Sequence, residues 1–445
     1  MSAREISAPA AVGLGAANPA TIAEHGVQRL SLLSNFTWAV CGNAAYAACQ
    51  WGMIVALAKL GNPFMVGQFS LGLAIVTPVL MLSNLDLRAV QATDARRQYR
   101  FSDYLNLRIQ MTLIAMAVIG AIVLFGHYQR GTASVILAVA FAKAVETISD
   151  IHYGLFQLND RLDQTGRSMI LRGLLSVAAI TIGLYLSHDV FWGCLWVAVA
   201  WIAALLLFDI RRGRSLVAYT EEPCEAEPGW LVPRFRLMSI ALPLGIVTTM
   251  ATINLHMPRY FVHAHMGEQQ LGIFSAMAYA TVALTLVGDS LAISAIPRLS
   301  RLHAGGDLDR FRGLVLRLFT AGCAIGLGAL VIARTSGAWL LRIIYSAEYA
   351  AQSRVFTVLM AGAALHFVAS MLTSGITAAR RFRIQVPLYL LVVAATAWGC
   401  ARWSPTLGLT GAALGVLCGA AVRLLLAGAV LGYLLLPRSP EVGLS

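Results

Sequence analysis

Lys143, Glu146 and Asp150 stand three and seven residues apart inside an otherwise apolar run. In a helix that spacing puts all three on one face, with Thr147 on it and Tyr153 and Gly154 close by. An ionisable side chain near the centre of a bilayer costs roughly 2.5–3.5 kcal/mol on insertion scales, so its presence asks for a reason. Two readings stand for the trio: an internal ion pair neutralised against a neighbouring helix, or a cavity wall carrying a proton or a substrate charge. Asn254, His256 and Arg259 gather around Pro258. A guanidinium can grip a phosphate bidentately, which an ammonium cannot. The competing reading is that Arg259, about a turn from the helix end, snorkels to lipid headgroups. His256 either titrates near physiological pH or hydrogen-bonds between helices. Asp289, His366 and Arg423 complete the set, and Arg423, midway through its apolar run, must face protein or water. Asp86 and Arg88 end the second apolar run, as interfacial charges or as partners in gating salt bridges.

The elements that must position these groups follow from composition. The 445 residues are 58% hydrophobic and 12% charged, with a mean hydropathy of +0.72. A water-soluble chain with that ratio would expose large apolar patches. A bilayer removes the problem, and each spanning helix needs about 20 mostly apolar residues. A β-barrel would show short alternating segments instead. Long apolar segments fall near 32–58, 64–86, 105–126, 133–157, 168–187 and 190–210, then near 237–262, 270–297, 312–334, 353–378, 384–402 and 407–436. The expected fold is therefore an all-α polytopic membrane protein of about 12 transmembrane helices, two six-helix bundles around a central cavity. Residues 1–30 read as a disordered tail, 31–210 and 237–436 as the bundles, 211–236 as a polar linker rich in Glu and Pro, and 437–445 as a second tail.

Orientation follows from the basic residues, 31 of 33 of which are Arg. With both termini cytoplasmic, the inward loops and their flanks hold 21 of them, Arg108 and Arg172 included, and the outward loops hold 6. A bias this large sets topology, and it reads as lipid-headgroup attraction rather than nucleic-acid binding. The seven cysteines are scattered, with no metal or redox spacing. No phosphate loop, nucleophile or metal constellation occurs, which argues against an enzyme and against a resident cofactor or metal.

The halves resemble each other. Leu60-Gly61 leads into Gly67-Gln68-Phe69-Ser70, and Met266-Gly267 leads into Gly272-Ile273-Phe274-Ser275, 205 residues later. A six-helix half repeated in one orientation implies bundles related by an axis along the membrane normal, the architecture of an alternating-access transporter.

The stretch Leu242-Pro243-Leu244-Gly245, with Asn254, Pro258-Arg259-Tyr260 and Gly267 onward to Ala276, resembles the seventh-to-eighth helix region of polysaccharide flippases. The tract from Leu85-Asp86-Leu87-Arg88 to Arg108 resembles their second-to-third loop, and Leu340 to Tyr349 is similar to an amphipathic turn before their tenth helix. Family members often carry Gly where Ser346 stands here. The resemblance is to the O-antigen and exopolysaccharide flippases of the multidrug/oligosaccharidyl-lipid/polysaccharide exporter superfamily, and it covers the chain beyond the first 30 residues. It implies movement of an undecaprenyl-diphosphate-linked oligosaccharide across the bacterial inner membrane. It also implies contact with membrane lipids, with polysaccharide polymerase and assembly proteins, and coupling to a H+ or Na+ gradient. A cation-coupled multidrug exporter of the same fold is the alternative, and would want an acidic, aromatic-lined cavity. A major-facilitator transporter is disfavoured, because Leu85-Asp86-Leu87-Arg88-Ala89-Val90 does not match that family's basic turn.

Overall fold

The computed structural model describes residues 30–94, 97–220, 232–305, 307–379 and 382–435. The expected tails and the middle of the expected linker lie outside the described residues.

The N-terminal half runs α1 (Leu32–Leu60), α2 (Pro63–Asn84), short α3 (Leu87–Thr93), α4 (Phe101–Phe125), α5 (Arg130–Leu158), α6 (Leu162–Ser187), α7 (Val190–Ala204) and α8 (Ile210–Thr220). A π turn over Leu205–Asp209 joins the last two. The C-terminal half holds α9 (Val232–Ala280), α10 (Val282–Ala304), α11 (Leu308–Ile344), the single turn α12 (Ala347–Ala350), α13 (Ser353–Ala378), α14 (Phe382–Leu407) and α15 (Leu409–Leu435). Local signals set the starts. Ser31 caps α1, and Asn62 caps α2 with Pro63 at its first position. Asp189 caps α7 and Asp307 caps α11.

Eleven helical stretches among the described residues are long and apolar enough to cross a membrane. One of them, Arg236–Ala304, has 69 residues, about 100 Å as a single helix and over three bilayer cores. It bends at Gly267, whose φ of 77° and ψ of −174° leave the helical region. A side chain there would be strained, and glycine is not. The stretch therefore crosses twice, and twelve crossings result. The expected 211–236 linker takes helical structure at its ends. It is helical as α8 up to Thr220 and again from Val232, since Arg211, Arg212 and Arg214 point outward while Leu216 packs on Tyr153, Phe156 and Met169.

Each half forms a lobe. In the first, α5 is central, against α2, α4 and α7, while α1 lies along α6. In the second, α13 is central, against α10, α11 and α15, with α14 on α15. As α1 lies on α6, α9 lies on α14 of its own lobe, and it packs most extensively along α2 of the other lobe. At one end of this seam Gly67 meets the Glu268 backbone, and Gly272 meets the Pro63 carbonyl and the Gly67 nitrogen, so that a Cβ on either would overlap main chain. The two related G-x-F-S segments thus pack on each other. Small residues permit such approach where lipid removes the usual hydrophobic drive between helices. At the other end, which carries Arg88, Arg97, Arg100 and Arg161, Leu85 and Leu87 cluster with Leu237 and Ala241 of α9.

Candidate functional site

In the arginine-rich half of the first lobe, α2, α3 and α5 enclose a cavity of about 500 Å³. Thr77, Leu80, Met81 and Asn84 line it from α2, and Lys143, Glu146, Thr147 and Asp150 from α5. Asp86 and Arg88 reach it from the elbow between α2 and α3. That elbow is built from two left-handed residues, Leu85 (φ 51°) and Asp86 (φ 50°). Asp tolerates this region; Leu pays for it in packing, being 1% exposed among the apolar side chains of the α9 contact.

The helical face expected over 143–150 is formed. Lys143 Nζ lies 2.7 Å from Glu146 Oε2 and 5.5 Å from the Trp201 ring centre. Tyr46 of α1 donates its hydroxyl to the other Glu146 oxygen. Asp150 bridges two arginines, with Arg88 Nη1 at 3.3 Å from Oδ1 and Arg108 Nη2 at 3.1 Å from Oδ2. Arg88 therefore pairs with Asp150 rather than with its near neighbour Asp86. Lys143 thus has an internal partner and a cavity position together, and the two readings of the trio are not exclusive.

Behind the cavity wall lies a second layer absent from the sequence expectation. Arg172 and Asp209 pair at 3.0 Å, 1% and 0% exposed, and Ser168 donates to the other Asp209 oxygen at 2.6 Å. The guanidiniums of Arg88 and Arg172 both lie 5.5 Å from the centre of the Tyr153 ring. Arg108 and Arg172 are not loop charges: both are almost fully buried. The apolar runs place helix starts near 105 and 168, whereas α4 begins at Phe101 and α6 at Leu162. Those extra turns carry both arginines into the bundle. The polar residues one turn away on the same helix faces, Ser168 with Arg172 and Tyr104 with Arg108, were the available signal.

The remaining candidates fall in the second lobe. Arg259 is 5% exposed, hydrogen-bonded to His256 at 2.5 Å and 5.1 Å from the Tyr279 ring centre. It is held in protein and does not reach outward as a snorkelling side chain would. Asn254 is half-buried beside them, its Oδ1 without a partner among the described residues. Asp289 on α10 accepts from Ser370 at 2.8 Å and lies 3.9 Å from His366. Arg423 on α15 stands 2.8 and 2.9 Å from the two His366 ring nitrogens and 5.5 Å from the Tyr389 centre. Asp289, with a half-exposed side chain, is the open member of this cluster. It is separate from the Lys143 group.

The end opposite the arginines is closed between the lobes. Gln68 donates to Thr132 at 3.0 Å, and Thr132 donates to Glu268 at 2.6 Å. Trp51 donates to the Tyr345 hydroxyl, which donates to the Ala276 carbonyl, both at 2.8 Å. Tyr260 donates to the Ala74 carbonyl. Among the described residues no group of three or more His, Cys, Asp or Glu could hold a metal ion, and the six described cysteines are free.

A family model described as polysaccharide biosynthesis protein matches residues 32–303. The capsular polysaccharide biosynthesis protein CapF of Staphylococcus aureus is 23% identical over 367 residues, 81% of this chain and 89% of that one. Among solved structures, the lipid II flippase MurJ in an inward closed conformation superposes with a TM-score of 0.69 at 10% identity, covering 88% of this chain and 86% of that one. The Vibrio cholerae MATE transporter VcmN, as its D35N mutant, gives 0.59 at 10% identity, covering 91% and 96%. At such identity these two establish the shared two-lobed fold.

Proposed function

The chain belongs to the polysaccharide biosynthesis protein family, and from that premise we propose that it is an alternating-access flippase for an undecaprenyl-diphosphate-linked oligosaccharide. It acts in the bacterial inner membrane for surface polysaccharide assembly, with its arginine-rich end and both termini in the cytoplasm. The observation that carries this reading is the charged cavity of about 500 Å³ in the arginine-rich half, combined with the closed seam at the opposite end.

A hydrophilic, anionic head cannot cross hydrocarbon unaided. A polar chamber open to one side at a time lowers that barrier, while the lipid tail remains in the bilayer through an opening between the lobes. Lys143, Glu146 and Asp150 with Asn254, His256 and Arg259 form the substrate-facing set, with Asp86 and Arg88 at its cytoplasmic mouth. Asp289, half-exposed beside His366 and Arg423, suits H+ or Na+ coupling. A capsular polysaccharide biosynthesis protein and a lipid II flippase among the similar proteins support the same reading.

Deleting the gene and analysing surface polysaccharide and lipid-linked intermediates tests this. Loss of polysaccharide with accumulated precursor is expected. Normal polysaccharide without accumulation, in a strain lacking a second flippase, would sink it.

A further inference from the structure

Among the described residues, each cation at the first-lobe cavity is paired with a carboxylate. Arg88 and Arg108 are both tied to Asp150, Lys143 is tied to Glu146, and the buried Arg172 is tied to Asp209. Counting Asp86, Arg88, Arg108, Lys143, Glu146 and Asp150, three cations face three carboxylates, so the site is electrically balanced. A diphosphate headgroup therefore competes here with an internal carboxylate for each cation.

The two pairs at the cavity differ in how readily they exchange. Lys143 and Glu146 meet at 2.7 Å, and Tyr46 holds the second Glu146 oxygen. Asp150 is held at 3.3 and 3.1 Å, longer than the roughly 2.7–2.9 Å of a strong charge-assisted bond. Each guanidinium gives it a single nitrogen, so neither makes the two-pronged grip that favours arginine. Arg108 is fully buried, yet its Nε and Nη1 have no partner among the described residues. Such idle buried donors are rare and costly. Arg88 and Asp150 each line the cavity with side chains 29% exposed, so this pair has an open side.

We propose that Arg88 and Arg108 form the site for the phosphate oxygens of the substrate, and that Asp150 is its built-in occupant, displaced as the phosphate enters. The identity of the anion rests on the flippase reading; the site itself suits any phosphate or diphosphate. The exchange gives Arg108 acceptors for its idle donors and lets each guanidinium bind two oxygens. It also returns the carboxylate when the headgroup leaves, so neither arginine is bared in the membrane between cycles.

Equilibrium binding of inorganic diphosphate to the purified full-length protein in nanodiscs tests the exchange. Asp150→Asn is expected to tighten binding about tenfold and Arg88→Gln to weaken it about as much. Equal affinity in the wild type and a folded Asp150→Asn protein overturns the proposal. Should Asp150→Asn fail to fold, infrared difference spectra of the wild type serve. Diphosphate is expected to shift a carboxylate stretch that stays fixed in Arg88→Gln, and no shift at saturation overturns the proposal. Displacement of bound inorganic diphosphate by undecaprenyl diphosphate assigns the site to a lipid headgroup; failure to displace assigns it to a free phosphate. A deletion strain with normal polysaccharide would remove the flippase reading while leaving these binding results intact.

Discussion

Thr132 donates a 2.6 Å hydrogen bond to Glu268, and the two residues belong to different lobes. Thr132 is fully buried and also receives the Gln68 amide, so the contact is a three-residue latch across the closed end. A hydrogen bond to a charged acceptor contributes about 1.5–3 kcal/mol. Thr132→Val is expected to shift the balance toward separation of the lobes at this end by about tenfold or more. Spin-label distances between the Pro63 end of α2 and the Ile344 end of α11 read that shift. An unchanged distance distribution removes the latch from the account.

Glycine at 272 is required by contact. A Cβ there would overlap the Pro63 carbonyl, so Gly272→Ala is expected to pry the two related segments apart. Ser275 is fully buried one turn on and provides the reporter. In a Ser275→Cys background, labelling by a membrane-impermeant maleimide is expected to rise several-fold on adding Gly272→Ala. Equal labelling would mean that the seam accommodates the methyl.

Arg172 and Asp209 make a buried pair with almost no exposure. Removing one partner strands the other's charge, at a cost of about 3–5 kcal/mol, whereas replacing both by apolar residues is often close to neutral. Arg172→Met and Asp209→Leu alone are expected to lower the melting temperature of the purified protein, and together to restore most of it. Additive losses would show that each side chain acts through other partners, such as Tyr153 or Ser168.

Lys143 and Arg423 sit in different lobes and each has an identified neighbour, Glu146 for one and His366 for the other. Gln at either position is expected to reduce polysaccharide export while the amount of protein in the membrane is unchanged. Full export in both variants would return the two cations to a purely structural role.

How far the sequence revealed this arrangement depended on which force wrote each feature. Crossing number was legible, because the bilayer demands a fixed length of apolar chain. The 143–150 face was legible too, since charges at helical spacing stand out against Val, Ala and Phe. Helix starts were not. The α4 and α6 helices begin in polar sequence, a turn or more before the apolar runs that hold Arg108 and Arg172, so both were counted with the loop flanks and their depth was hidden. The path of α9 was also hidden: faces that meet lipid and faces that meet another helix are both apolar in a membrane, so periodicity cannot say which neighbour a helix has. The two G-x-F-S segments could be matched as a repeat, but their packing on each other required the fold.

The α9 helix belongs to the second half by sequence and to the α2 seam by contact. Its glycine approaches and buried apolar side chains, together with the Thr132–Glu268 bond, join the halves without help from the peptide chain between them. Two separately translated polypeptides, divided between Thr220 and Val232, would therefore carry the information to find each other in the bilayer. Co-purification of an untagged first fragment with a tagged second one would be the sign that the covalent link is dispensable once α9 is in place.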